Sequence, residues 1–262
     1  MRFDRFEVLF ATAALVILGC GGGVAPSPST GTDTSGAGAS SSGRSQQERE
    51  DGRGFAIAPR PAVVAGKTTL QWIPEWWRYV MSQPADVNPL LNASVDCSVG
   101  QSGPVFLLPT IQGPGFTRSC TIPAHTPVLW TFQSLFNDYP CPDPTFQPAP
   151  GQTLEEFLAE GAKAFDDRLT NMTASIDGTA LDPNRYRYLT GLFSFTGDPS
   201  LTATFDSCVT GTQQVAVADG WFVLVRLSPG DHTLVSSYVN SRGHLGVATF
   251  LLHVLGEPGD DR

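Results

Sequence analysis

Charge is scarce in this sequence. Lys, Arg, Asp and Glu make up 16% of its 262 residues, against about a quarter in ordinary globular chains. The net charge is −9 and no basic stripe appears, so the domain repels a phosphate backbone and nucleic-acid binding is excluded. Long apolar runs are also missing. The unbroken run at 8–18 is about 11 residues, too short to cross roughly 30 Å of hydrocarbon as a helix. The four histidines, His125, His232, His244 and His253, stand singly, with no pair spaced to hold a metal. There is no G-x-S-x-G elbow, H-E-x-x-H helix, EF-hand loop, Walker motif or Rossmann fingerprint. No catalytic or cofactor motif is present, and no cofactor is implied.

What is present begins with an export signal. Arg2 and Arg5 provide a basic start, diluted by Asp4 and Glu7, and the apolar run ends in Ile17-Leu18-Gly19-Cys20. That tetrapeptide looks like a bacterial lipobox, in which the cysteine is acylated after cleavage. Residues 1–19 are read as the signal peptide and Cys20 as the lipidation site, holding the protein to a membrane. Leu18 is larger than usual there, and the competing reading is an ordinary signal peptide with Cys20 incidental. Gly21 rather than Asp after the cysteine points to the outer membrane of a bacterial envelope.

From 20 to 54 the chain is Gly, Ser, Thr, Ala and Pro, then Gln, Glu, Arg and Asp. Such a segment buries too little apolar surface to offset its ordering entropy, so disorder is expected. It would span about 30–35 Å as a flexible leash. Residues 55–262 are long enough for one domain with its own core. With 27 Gly, 21 Pro and few charges, that domain is expected to be mainly β.

Setting Cys20 aside leaves Cys97, Cys120, Cys141 and Cys208. An even number in an exported chain reads as two disulfides with three possible pairings. Cys97–Cys120 closes a local loop and is favoured, which leaves Cys141–Cys208. No C-x-x-C supports a redox or zinc role.

Two accessory helices are expected, at about 68–81 and 153–170. In the first, Trp72, Trp76, Tyr79 and Val80 follow helical spacing and Pro74 is placed in the first turn. The second opens with a capping box, Thr153 and Glu156. Its apolar face is Leu154, Phe157, Leu158, Phe165 and Leu169, with Glu155, Glu156, Glu160, Lys163, Asp166 and Asp167 mostly on the solvated side. Strands are expected at 104–108, 118–122, 128–136, 172–176, 186–195, 201–205, 213–217, 221–227, 233–239 and 245–254. The last, apolar on both faces, should be central. Asp177-Gly178 and Pro229-Gly230 mark turns. Many short strands between turn signals predict a β-sandwich or jelly-roll-like domain.

These segments resemble an uncharacterised group of secreted bacterial β-sandwich-like proteins. The matching stretches are Trp72-Ile73-Pro74-Glu75-Trp76-Trp77, 101–108, Arg118-Ser119-Cys120-Thr121-Ile122-Pro123, Ile176-Asp177-Gly178, Tyr186-Arg187, Asp219-Gly220-Trp221-Phe222-Val223-Leu224 and 227–234. Ala124-His125 departs from a Gly-Lys turn in that pattern. The resemblance implies a secreted β-domain and carries no catalytic residue with it.

Three sets of side chains are candidates for function. Trp72, Trp76 and Trp77, with Tyr79, can form an aromatic platform for a sugar or other flat ligand; the favoured alternative is a clasp buried against the sheet, with Trp77 partly exposed. His232 is expected to bond a neighbouring carbonyl and His253 to pack. Asp177, Asp182, Asp206 and Asp219 lie near turns and are a candidate set for Ca²⁺, although turn aspartates usually cap backbone. The leading expectation is a non-enzymatic binding or structural envelope domain, tethered through its lipid and facing an unknown extracytoplasmic ligand or protein. The alternative is an extracytoplasmic hydrolase whose site assembles only in the fold, marked by a pocket with two carboxylates or a His–Asp pair.

Overall fold

Two β-sheets carry the fold, and one long strand explains most of its layering. The computed structural model describes residues 54–111 and 115–257. The signal segment, Cys20 and nearly all of the linker lie outside the described residues.

The six-stranded sheet runs in the order β1 (Phe55–Ile57), β9 (Gln213–Leu227), β4 (Val128–Tyr139), β2 (Phe106–Leu108). β4 pairs along one edge of β9 from Tyr139↔Val215 to Val128↔Val225. A strand has only two edges, so β1, β7 (Arg187–Leu189) and β8 (Phe193–Thr196) follow one another along the other. The five-stranded sheet has the order β3 (Phe116–Ile122), β11 (Leu245–Val254), β10 (Gly230–Val239), β5 (Thr170–Ile176), β6 (Thr179–Leu181). The result is a β-sandwich with accessory helices.

Burial follows the two-residue period of the pleat. Trp221, Val223, Val225 and Leu227 of β9 face the second sheet, where they meet Leu234, Phe250, Leu252 and Val254. The alternate residues, Ala216, Ala218, Phe222 and Leu224, face a second core built on α1 (Thr69–Ser82). The six-stranded sheet is therefore covered on both sides, and β9 is the strand buried all round. β11 lies inside its sheet, but Leu251 and Leu245 on its outer face are 45% and 54% exposed. The expectation that β11 is central therefore holds, but among the described residues its outer face stays uncovered, and the strand buried on both faces is β9.

α1 begins at the Thr68 capping box. Pro74 sits in its second turn rather than the first, so one internal N–H is lost there. Trp72, Trp76 and Trp77 are all buried, Trp77 at 1% exposure. The clasp is therefore realised and the partly exposed Trp77 is not. Trp77 lies 4.3 Å from Phe136 between ring centroids, and Trp76 lies 5.7 Å from Phe222. The Trp72 indole donates to Val64 O at 2.9 Å.

Both disulfides join the favoured partners, Cys97–Cys120 and Cys141–Cys208. The turn signals also hold. Asp177 and Gly178 both take positive φ between paired Ile176 and Thr179, and Gly230 has φ 122° after Pro229. Two strand expectations fail. Residues 201–205 hold a short helix, α3 (Leu201–Thr204). The stretch 186–195 breaks into the end of a 3-10 turn (Pro183–Tyr186), β7 and β8. In both places the neighbour to pair with, rather than local composition, decides the outcome.

Candidate functional site

α2 (Leu154–Asp166) caps itself as expected: Glu156 N donates to Thr153 Oγ1 at 3.2 Å, and Thr153 N donates to Glu156 Oε2 at 2.9 Å. The helix stops at Asp166, earlier than 170, because β5 begins at Thr170. Phe136 faces α1, so its neighbour Asn137 points to the opposite side of the sheet. There α2 docks, and Asn137 Nδ2 donates to Leu158 O at 3.3 Å. A Cβ on Gly161 would stand 1.6 Å from that nitrogen, so only glycine leaves room for Asn137.

The buried stripe of α2 is Leu158, Ala162 and Asp166. Its last member is a carboxylate where an apolar residue belongs. Asp166 is 1% exposed, not solvated as expected, and neither carboxyl oxygen has a hydrogen-bond partner. Burial, and next the negative charge of Asp219, push its carboxyl well above the ordinary carboxylate range. Asp167 acts in the same direction, while Arg187 and Lys163 oppose.

Asp166 lines a cleft of about 510 Å³ together with Asp167, Leu169, Asn171, Met172, Pro183, Asn184, Arg187 and Trp221. The cleft lies at the seam where α2 gives way to β5. Strand register places its polar floor. Arg187 of β7 is paired with Trp221 of β9, and Asp219 lies two residues from Trp221 on the same face. The Arg187 guanidinium stacks 4.9 Å over the Trp221 ring. It donates to both oxygens of buried Asp219 and reaches Asp167 at 2.6 Å. Burial alone would lower the ionisation of Arg187, but these bonds outweigh it and hold the guanidinium above its ordinary value. Trp221 and Arg187 were part of the sequence resemblance, yet nothing in their spacing from Asp166 announces that the three meet.

The other candidates resolve differently. His232 donates to Ser228 O at 2.9 Å through Nε2 and faces Asp177 at 2.7 Å through Nδ1. The carbonyl bond is the expected one. The Ser228 hydroxyl lies 3.5 Å from the same Nε2, but a nitrogen donating to a carbonyl has no lone pair with which to activate it. His253 is exposed rather than packed, and bonds Asp231 at 2.7 Å. It alternates outward with exposed Leu251 on β11.

The four turn aspartates do not converge. Asp177, Asp182 and Asp206 accept from the backbone N–H of Thr233, Asn184 and Cys208, and Asp219 pairs with Arg187. Asp206 instead meets Asp138 and Cys208, whose ligand atoms lie within 4.8 Å of one another. Cys208 is in a disulfide, so that cluster lacks a thiolate. Burial and then the Asp206 charge raise Asp138 to about 8, and burial also raises Asp206. Gln214 Nε2 sits among the acceptors, 2.8 Å from Asp138 Oδ2, Pro140 O and Cys208 O.

Among the described residues, no helix is long and apolar enough to cross a membrane. No family model and no curated protein matches the chain. A chain of the solved "Structure of PbICP-C in complex with falcipain-2" is similar at 9% identity, covering 53% of this chain and 88% of that one. Its TM-score of 0.19 lends it no weight for fold or function.

Proposed function

We propose that this chain is an exported, lipid-anchored envelope protein whose β-sandwich domain binds a small polar ligand in the Asp166–Trp221 cleft and does not transform it. The observation that carries this reading is the orphaned carboxyl of Asp166. A buried polar group without a partner costs on the order of 1–3 kcal/mol, and a bound ligand that supplies the missing hydrogen bonds recovers that cost. The cleft volume falls in the range of ligand sites, about 300–1,000 Å³. Its Leu169, Met172 and Pro183 supply apolar wall, and its Asp, Asn and Arg side chains supply orientation. The tether and the secreted-group resemblance support an extracytoplasmic ligand.

A test is ¹H–¹⁵N NMR of the full chain against a panel of amines, sugars and organic acids. Binding should move the Trp221 indole and Arg187 Nε signals; if no compound moves them, the reading fails.

One observation favours a second reading, the extracytoplasmic hydrolase. Asp166, buried and raised above the ordinary carboxylate range, shares one cleft with Asp167, and two carboxyl groups in one cleft are what acid–base hydrolysis uses. Turnover of a glycoside, ester or peptide that Asp166→Asn abolishes would decide for it.

A further inference from the structure

We infer that the ligand held in this cleft is a primary alkylammonium group, seated against Asp166 with its alkyl stem along Leu169, Met172 and Pro183. The inference rests on the binding reading above and deepens it.

Charge sets the sign of the ligand. Two acids, Asp166 and Asp167, line the cleft with one guanidinium, Arg187, and buried Asp219 holds that guanidinium from behind. Arg187 is already engaged by Asp219 and Asp167, so an anion would have to compete with those two carboxylates for it. A cation compensates the group that has no partner.

Donor geometry sets the class. An ammonium offers three N–H donors and no acceptor, and the cleft offers acceptors. Asp166 presents two empty oxygens. Asn184 Nδ2 donates to Asp182 Oδ1 at 3.1 Å, which leaves Asn184 Oδ1 as the side chain's acceptor. A divalent ion fits less well. Among the described residues, three acidic or thiol ligand atoms within 4.8 Å of one another occur at Asp138, Asp206 and Cys208, not at this cleft. The apolar wall has no role for a bare ion but covers an alkyl stem.

Binding then carries a proton balance. The charged groups facing Asp166 are Asp167 and Lys163 of α2, Asp219 of β9 and Arg187 of β7. Burial and the two carboxylates outweigh the two cations and raise Asp166 well above the ordinary carboxylate range in the free cleft. When the ammonium arrives, Asp166 ionises against it and its proton leaves to solvent. No other bond forms or breaks. Affinity therefore rises with pH until the free carboxyl itself ionises.

Calorimetry of the full chain with n-butylammonium, in two buffers of different ionisation enthalpy, reads both quantities. The expected result is binding with net proton release. Asp166→Asn, folded by circular dichroism, should lose the release and weaken binding by about thirtyfold, the effect of removing one partner of a desolvated charge pair. Asn184→Ala should weaken binding and keep the release. Nα-acetyl-lysine methylamide in place of butylammonium separates the two sources of the group: tighter binding assigns it to a peptide lysine, weaker binding to a free amine. If a neutral sugar shifts the Trp221 indole and no amine does, the ligand class is wrong and the binding reading survives. Amine binding unchanged in Asp166→Asn also overturns the inference. If no probe of any class reaches the cleft, both fall.

Discussion

Arg187 Nε donates to both carboxylate oxygens of Asp219, at 3.0 and 3.3 Å, across the β7–β9 pair. That bond leaves Asp166, in the same cleft, without a partner. Asp219 is nearly as buried as Asp166, yet one carboxylate is fully satisfied and the other not at all. The asymmetry sets an acid without a hydrogen-bond partner beside one that is saturated.

Buried acids elsewhere make the fold sensitive to pH. Asp138, raised to about 8 by burial and then by Asp206, holds a proton in the folded state that the unfolded chain has lost. The stability from this proton is fully present below the unfolded value, near pH 4, and is lost as pH rises through about 8. Asp206 and Asp166, also raised, act in the same direction. Asp138→Asn keeps the acceptor that Gln214 uses, so the variant should melt higher than wild type at pH 8 and alike at pH 4. Melting curves across that range check it; parallel curves for the two proteins would contradict it.

The disulfides close loops of different length, with sequence separations of 23 and 67 residues. Loop-closure entropy predicts losses of about 3 kcal/mol for Cys97→Ser with Cys120→Ser, and about 4 kcal/mol for Cys141→Ser with Cys208→Ser. Urea denaturation of the two double variants should rank them in that order.

Gly220 has φ 153°, beside the register shift at Thr131/Gln133 of β4. A Cβ there would stand 2.4 Å from Ser134 Cβ and 2.6 Å from Gln133 O. Much of that obstruction is backbone and cannot turn aside, so Gly220→Ala should destabilise the domain by about 3 kcal/mol. A melting temperature within a degree or two of wild type would mean that β4 and β9 are less closely apposed.

If Cys20 carries the lipid, Cys20→Ser should move the protein from the membrane fraction to the soluble envelope fraction. Retention in membranes would remove the anchor from the proposed function.

Local chemistry made much of the fold legible. Two capping boxes, the Asp177-Gly178 and Pro229-Gly230 turns and the cysteine count each depend on a few neighbouring residues. Long-range pairing was not legible. The 213–217 and 221–227 segments join into one strand because β4 pairs with both, across one register shift at Thr131/Gln133, and no periodicity within either segment records that. The site was least legible of all. Asp166 reads as solvated beside Asp167, and only the docking of α2 on Asn137 turns it inward. Its eight-residue spacing from Leu158 was a usable signal, since it continues the stripe through Ala162. The His232–Asp177 pair was half visible: the carbonyl bond follows from the turn, and the carboxylate arrives from the β5–β6 turn.

The most direct measurement is a ¹³C NMR titration of the Asp166 carboxyl in the full chain, with and without saturating n-butylammonium. The predicted result is a midpoint well above the ordinary carboxylate range in the free protein, moving down when the amine is bound. An ordinary midpoint in the free protein, or the same curve with and without amine, would contradict it.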